Sequence, residues 1–242
     1  MPTLIIADKD EKALVTQVGA PFSTVAKAAE WFDGVIWALG AIADLEKASA
    51  DKPDDAEAAL KLVDACQKLG RDDQVAEICE KFVGKLEKGH KKLPDFQFTF
   101  GNHLLGNAKS LDDIKKAAEL LEAALPAFLA AKDKRAIEAT LGCARCNGYT
   151  DQAGKTPAQL AKALAVFPDS EDTAKLCAAL VESIQDPGSL KEQDRQAAQK
   201  ELEAIVKSAP KDSEGALYAK AFLKTLARAG KKPGAESGKT GK

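Results

Sequence analysis

The chain has 242 residues, enough for one large domain or two small ones with a substantial core. Its 35 Lys and Arg residues nearly balance 37 Asp and Glu residues, so no basic field exists to attract phosphate, and we expect no nucleic-acid partner. Hydrophobic residues make up 45% of the chain and aromatic residues only 5%, a balance rich in Ala and Leu that favours closely packed helices.

The N-terminal sequence MPTLIIADKD has no basic segment before a long apolar run, so it predicts no signal peptide. No apolar run reaches the roughly 20 residues of a membrane span, and we expect no membrane association. Five cysteines lie within helical patterns, and they are Cys66, Cys79, Cys143, Cys146 and Cys177. An odd number of cysteines without an export signal is typical of a reducing compartment. We therefore expect a cytoplasmic protein with free, mostly buried thiols.

The first 50 residues differ from the rest of the chain. The runs LIIAD and ALVTQV, separated by the polar stretch DKDEK, predict a β-hairpin. Ser23 is the predicted cap of a helix that begins near Val25 and reaches about residue 50. We expect Gly34 and Gly40 either to bend this helix or to divide it in two.

Beyond residue 50 the apolar spacing is helical throughout, and five segments begin alike at intervals of 36 to 42 residues. They start at Pro53, Pro94, Lys132, Pro168 and Pro210. A recurrence of this length is typical of a solenoid, in which each unit buries its apolar face against the next. The predicted fold is mainly α, an α-solenoid of helical hairpins behind a short N-terminal β-hairpin. The predicted division is 1–50, 51–230 for the repeats, and 231–242 for a disordered tail.

Several helix ends follow from single residues. Gly70 is expected to end the first repeat's first helix, where a positive φ is needed. Asp72 or Asp73 is the predicted cap of its partner helix, and Ser110 and Thr156 are predicted caps further along the chain. Each assignment predicts a short turn between two helices of a hairpin.

The first repeat, DDAEAALKLVDACQKLG followed by RDDQVAEICEKFVGKLEKG, resembles a tetratricopeptide repeat. The positions near that family's small and apolar consensus sites are Leu62, Gly70, Val75, Cys79 and Phe82. The later segment RQAAQKELEAIVKSAP is similar, whereas Ala59 and Cys66 stand where the family usually has tryptophan and tyrosine. The resemblance covers roughly residues 51–230. It implies an interaction scaffold that binds a partner on the concave surface formed by the first helices of successive hairpins.

That resemblance also implies which side chains face the groove. The candidates are Leu60, Asp64, Lys68, Phe98, Leu105, Lys175, Ala179, Glu182, Leu217 and Lys224. For each one taken singly, an ordinary solvated or packing position is the alternative. The predicted function is a non-catalytic scaffold or adaptor for a protein or peptide partner, with no cofactor and no metal. An inert structural spacer is a further alternative.

The segment MPTLIIADKDEKALVTQVGAP resembles the C-terminal half of a thioredoxin fold, with Pro2 at that family's cis-proline position. The family's Cys-x-x-Cys and preceding strands have no counterpart here. The alternative function is therefore a truncated or degenerate thioredoxin–tetratricopeptide chaperone linked to redox chemistry. An isolated hairpin leaves a strand edge open, so we expect this edge either to pair with another chain, which would give self-association, or to stay frayed.

Three motifs carry weaker signals. The pair Cys143 and Cys146 lies toward a helix C-terminus, where the dipole opposes a thiolate, and a zinc site would need two more organised ligands. The tail sequence GAESGKT leaves three residues between its glycines where a phosphate-binding loop needs four. Phe96, Phe98 and Phe100 alternate, which fits a strand or the first turns of a helix, and core packing is the commoner reason for such a cluster.

Overall fold

A computed structural model describes residues 3–7, 13–18, 24–168, 172–183, 190–208 and 213–229. The chain forms two compact units, Met1–His103 and Leu104–Lys242. Pro2, the tail 231–242 and the glycines of GAESGKT lie outside the described residues. The division at residues 50 and 230 stays a prediction, although the helix before residue 50 and the helix after it pack together in the first unit.

The first unit opens with the predicted β-hairpin. Strand β1 (Thr3–Ala7) pairs antiparallel with β2 (Ala13–Val18), and the register shifts by a bulge after Ile6. Four helices follow: α1 (Val25–Asp51), α2 (Ala56–Lys68), α3 (Asp72–Lys85) and α4 (Leu93–Gly106), the last of which ends just beyond the unit boundary.

Helix α1 corrects two expectations. It runs without interruption through Gly34 and Gly40, because the packing of α2 along it helps to hold 27 consecutive residues in one conformation despite the low helix propensity of glycine. Its cap is Thr24, whose hydroxyl accepts a hydrogen bond from the backbone N–H of Lys27 at 3.2 Å. Ser23, the predicted cap, lies outside the described residues.

The core of the first unit lies between α1, α2 and α3. Val35 and Ala38 of α1 and Leu62 of α2 are buried, with α2 packed between the other two helices. Phe82 of α3 stacks on Phe96 of α4, with ring centroids 4.7 Å apart, so the helical alternative for the phenylalanine cluster is correct. Burial of such side chains stabilises the fold by about 1.5–3 kcal/mol each relative to an exposed position.

Turn chemistry agrees with the sequence at Gly70 and differs at α3. Gly70 has a φ of 65°, the left-handed conformation that a helix end favours. Asp72 and Asp73 lie in the first turn of α3, and Arg71 stands at the cap position, where its side chain makes no capping hydrogen bond. The two carboxylates therefore act on the positive end of the helix dipole and do not cap the helix.

The second unit consists of α5 (Leu111–Ala131), α6 (Arg135–Gly148), a short 3₁₀ helix (Ala153–Lys155), α7 (Thr156–Val166), α8 (Thr173–Ser183), α9 (Glu192–Ser208) and α10 (Glu214–Ala229). Helix α5 packs on α6, α6 on α7, α7 on α8 and α9, and α9 on α10. This successive stacking is that of an α-solenoid. The predicted fold class, mainly α with helical hairpins behind a β-hairpin, is confirmed.

Ser110 and Thr156 have different outcomes as caps. Ser110 forms a capping box: its hydroxyl accepts from the N–H of Asp113 at 3.2 Å, and the Asp113 carboxylate accepts from the N–H of Ser110 at 2.9 Å. Thr156 is instead the first residue of α7 and is buried, and its hydroxyl lies 3.3 Å from the side-chain nitrogen of Asn147. A tertiary hydrogen bond has replaced the predicted cap.

Among the helices of the described residues, none contains an apolar stretch long enough to cross a membrane.

Candidate interaction groove

Helix α6 presents one face of four residues to open space. Leu141, Ala144, Arg145 and Gly148 follow the spacing of three and four that places side chains on the same side of a helix. Ala144 and Gly148 have small side chains that leave space above the helix, while Leu141 adds an apolar side chain and Arg145 a charge. The face therefore forms one wall of a shallow depression.

Helix α8 forms the facing wall with Ala179, Glu182 and Ser183. The space between the helices is about 580 Å³. We call this the α6–α8 groove, and its lining residues are Leu141, Ala144, Arg145, Gly148, Ala153, Thr156, Ala179, Glu182 and Ser183. In the hairpin order of the sequence, α6 and α8 are first helices of successive hairpins, and they pack directly on each other.

Two opposite charges border an otherwise mainly apolar groove. Arg145 and Glu182 are both exposed, and neither is in an ion pair or hydrogen bond with another residue in the described parts of the chain. A guanidinium and a carboxylate with free hydrogen-bonding capacity can orient a ligand that also fills the apolar floor.

The opposite face of α6 belongs to the core. Cys143 and Cys146 are fully buried, and all five cysteines are free thiols, as predicted. Burial raises the pKa of Cys143 to about 12, with a further contribution from the Glu122 carboxylate, and burial also raises the pKa of Cys146. Because the thiolate is the reactive form, these cysteines are poor nucleophiles and poor metal ligands at neutral pH.

Of the candidates in the second unit, Ala179 and Glu182 lie together in the groove. Lys175 lies one turn earlier on α8, is exposed, and pairs with Asp172 at 2.6 Å. Leu217 (56% exposed) and Lys224 lie on α10, seven residues apart and thus on one face of that helix. Leu105, near the end of α4, is half-buried.

The candidates of the first unit form a different environment. Lys68 pairs with Asp64 on α2, and its ammonium lies 5.1 Å from the ring centroid of Trp37 on α1. Leu60 and Phe98 are half-buried. Lys68 is therefore already engaged by a carboxylate and an aromatic face, which leaves it less available to a partner than its sequence position suggests.

Sequence reasoning missed the α6 wall, above all Leu141, Ala144 and Arg145. The signal was present, because these residues follow the same spacing that marked the other candidates. The cysteine pair drew attention to the opposite face of the same helix. Residues 143 and 146 are core positions, and the residues just before and between them form the exposed wall.

Comparisons with known proteins add little to this picture. No protein-family model matches the chain, and no curated protein matches it either. Among solved structures, a thermophilic TPR protein from Thermus thermophilus is similar, with 23% sequence identity over 78% of this chain and 94% of that one, and a TM-score of 0.41. A similarity of this degree says nothing about the role of the groove. None of these comparisons supports the thioredoxin-like resemblance of the N-terminal segment.

Proposed function

We propose that the chain is a non-catalytic interaction scaffold and that the α6–α8 groove binds a peptide segment of a protein partner. The observation that carries this proposal is the placement of two uncommitted, opposite charges beside an apolar depression of about 580 Å³. Two residues that the tetratricopeptide resemblance implied as groove-facing, Ala179 and Glu182, line that depression.

The chemistry of the lining indicates what kind of segment would fit. Leu141, Ala144 and Ala179 offer apolar contacts to one or two aliphatic side chains of the peptide. Arg145 would pair with an acidic residue, in a bidentate manner that suits a carboxylate, and Glu182 with a basic residue. The preferred segment is therefore short and apolar in the middle, with charges of opposite sign at its ends.

The absence of catalysis in this proposal is supported by the state of the thiols. The Cys143 and Cys146 side chains are buried on the far side of α6 from the groove, with raised pKa values. They supply neither a nucleophile nor a redox pair to a bound ligand. The remaining candidates are proposed as further contact positions: Leu60, Asp64, Lys68, Phe98, Leu105, Lys175, Leu217 and Lys224.

The proposal can be tested with peptides selected from a random dodecapeptide phage library on the full chain. Selected peptides would be synthesised and their affinities measured by isothermal titration calorimetry. We expect Ala179→Arg, which places a long charged side chain in the α8 wall of the groove, to weaken binding by at least about tenfold, the effect of about 1.4 kcal/mol. Arg145→Glu should weaken the binding of peptides that carry an acidic residue and leave the binding of peptides without one unchanged.

The matched control is Lys200→Glu, which also reverses a charge but lies on the exposed side of α9. It should leave the dissociation constant within about twofold of wild type, as expected for a surface charge outside the contact. The proposal is wrong if selection gives no consensus peptide, or if the peptides obtained bind Ala179→Arg and Lys200→Glu equally well.

A further inference from the structure

Helix α1 has a largely exposed apolar face, on which the Lys68 ammonium lies over the Trp37 ring. Its buried stripe, Val35, Ala38 and Ile42, faces α2, whereas Ile36 is 65% and Trp37 is 45% exposed. Gly40 and Ala43 continue the exposed face, and a Cβ atom built on Gly40 would meet no atom within 4 Å. A contiguous patch of large exposed apolar side chains is typical of an interaction surface.

Two charged residues of this face, Asp33 and Lys47, are placed symmetrically about Gly40, and a third, Asp44, is exposed about 40° from Gly40 around the helix. Asp33 precedes Gly40 by seven residues and Lys47 follows it by seven, so each lies about 20° from Gly40 around the helix. Both are exposed, and within the described residues neither makes an ion pair or hydrogen bond. The face thus carries opposite charges at equal distances on either side of a glycine.

This arrangement is self-complementary for two antiparallel copies. If a two-fold axis passes beside Gly40, each residue before Gly40 lies level with the residue equally far after it in the other copy. Asp33 then faces Lys47 of the second copy, and the symmetry makes this ion pair twice. Ile36 is then level with Asp44 of the second copy, and Ala43 of that copy lies one residue, about 1.5 Å, away on the same flank as Ile36, so Ile36 packs against Ala43. Isologous contacts of this kind are the commonest in homodimers.

We propose that α1 is a dimerisation helix, paired antiparallel with α1 of a second copy and crossing it at Gly40. The glycine lets the helix axes approach to about 8 Å, the short end of the usual range. The contact extends over Asp33–Lys47, about 21 Å of helix, and is small. We therefore expect a reversible dimer with a dissociation constant of about 10–100 µM. This inference is independent of the proposed peptide groove, which lies in the other unit.

The test is sedimentation velocity of the full chain from 1 to 200 µM (a range chosen to bracket about 10–100 µM). Asp33→Lys and Lys47→Asp should each raise the dissociation constant about tenfold, because each replaces two attractive pairs with two repulsive ones. The double variant D33K/K47D restores opposite charges and should return to within about threefold of wild type. Raised salt should weaken the wild-type dimer, since exposed charges are screened.

Two further variants separate dimerisation from folding. Gly40→Leu meets open space in the single chain but blocks close approach of two helices, so it should abolish the dimer while leaving thermal unfolding at low concentration unchanged or raised. Glu77→Lys, an exposed reversal on α3, should not change the dissociation constant. A chain that is monomeric at the highest concentration overturns the proposal. A dimer whose dissociation constant is unchanged by Gly40→Leu also overturns it, and would favour the strand edge of the β-hairpin as the contact.

Discussion

The side-chain nitrogen of Asn147 on α6 donates a hydrogen bond to Oε1 of Gln159 on α7 at 2.9 Å, and the Gln159 side-chain nitrogen donates to Oε1 of Glu122 on α5 at the same distance. Asn147 is almost completely buried, and its nitrogen also lies 3.3 Å from the Thr156 hydroxyl. Three consecutive helices are therefore joined by a polar chain that runs from the buried Asn147 to the half-buried Gln159 and Glu122. Such chains fix the relative position of helices, since a buried polar group without its partner is costly.

We expect Asn147→Ala to lower the free energy of unfolding by about 2–4 kcal/mol, from lost hydrogen bonds and the cavity left behind. Urea denaturation followed by circular dichroism measures this change. Gln199→Ala is the matched control, because its amide also hydrogen-bonds a glutamate, Glu203, at 2.7 Å but is exposed on α9. Gln199→Ala should lower the free energy of unfolding by no more than about 0.5 kcal/mol. Equal losses in the two variants would show that the polar chain contributes little.

The capping box at the start of α5 gives a second prediction. Ser110→Ala removes the hydroxyl that accepts from the Asp113 N–H, and should lower the free energy of unfolding by about 0.5–2 kcal/mol. The pKa of Asp113 is lowered by hydrogen bonds from the Lys109 backbone and from Ser110, so the variant should raise that pKa. An NMR titration of the Asp113 carboxyl carbon tests this directly. An unchanged pKa would contradict the role given to Ser110.

The sign of the acid dependence follows from the same shift. Because the folded-state pKa of Asp113 is depressed, its contribution to stability is present above the unfolded pKa of about 3.9 and is lost as the pH falls through the lower folded value. In Ser110→Ala, the part of this loss that depends on the hydroxyl disappears. The difference in stability between wild type and variant should accordingly shrink in strongly acidic solution.

Because several thiols are buried, we expect the free energy of unfolding to depend on pH in alkaline solution. Burial raises the pKa of Cys79 and, with Glu122, that of Cys143, each to about 12. The unfolded thiols titrate near about 8.5, so the stability they contribute is complete below that pH. It falls as the pH rises toward the folded values, by up to about 1.4 kcal/mol per pH unit for each thiol.

Urea denaturation under reducing conditions from about pH 7.5 to 10, which spans the thiol pKa of about 8.5, measures that slope. Cys143→Ala should be less stable at the lower pH and have a shallower slope, because one titrating group has gone. Leu164→Ala is the control: its side chain is fully buried and carries no titrating group, so it should lower stability without changing the slope. A slope that is the same in Cys143→Ala and Leu164→Ala would show that the Cys143 thiol ionises normally.

The sequence predicted the type of element well and the contacts of single residues poorly. Helical spacing, the hairpin pattern, Gly70 and the Ser110 cap depend on neighbours in the sequence, and all of these are confirmed. Thr156 failed as a cap because its hydroxyl takes a partner, Asn147, from another helix. Local sequence patterns do not indicate such tertiary partners. Where a tertiary hydrogen bond competes with a local one, it can determine which bond the side chain makes.

The α6–α8 groove also depends on contacts between helices that the sequence pattern does not predict. The resemblance to tetratricopeptide repeats implied Ala179 and Glu182 on α8, but the wall opposite them on α6 depends on which helices pack together. The resemblance to tetratricopeptide repeats also implied that Lys68 faces the groove, whereas its ammonium lies over the ring of Trp37, a residue from before the repeats. A contact between a repeat and the helix that precedes it has no periodic signal in the sequence.

The continuity of α1 through two glycines gives the last prediction. Gly40 is exposed in the middle of the helix, and a Cβ atom there would meet nothing within 4 Å. Gly40→Ala should therefore raise the free energy of unfolding by about 0.5–1 kcal/mol, because alanine loses less conformational freedom in a helix. Gly34→Ala is the comparison: its Cβ would lie 3.2 Å from Cε of Lys68 and disturb the side chain that covers Trp37, so its gain should be smaller. Thermal unfolding at about 1 µM, well below the proposed dimer range, measures both. A loss of stability in Gly40→Ala would mean that the exposed face of α1 is covered in the folded chain.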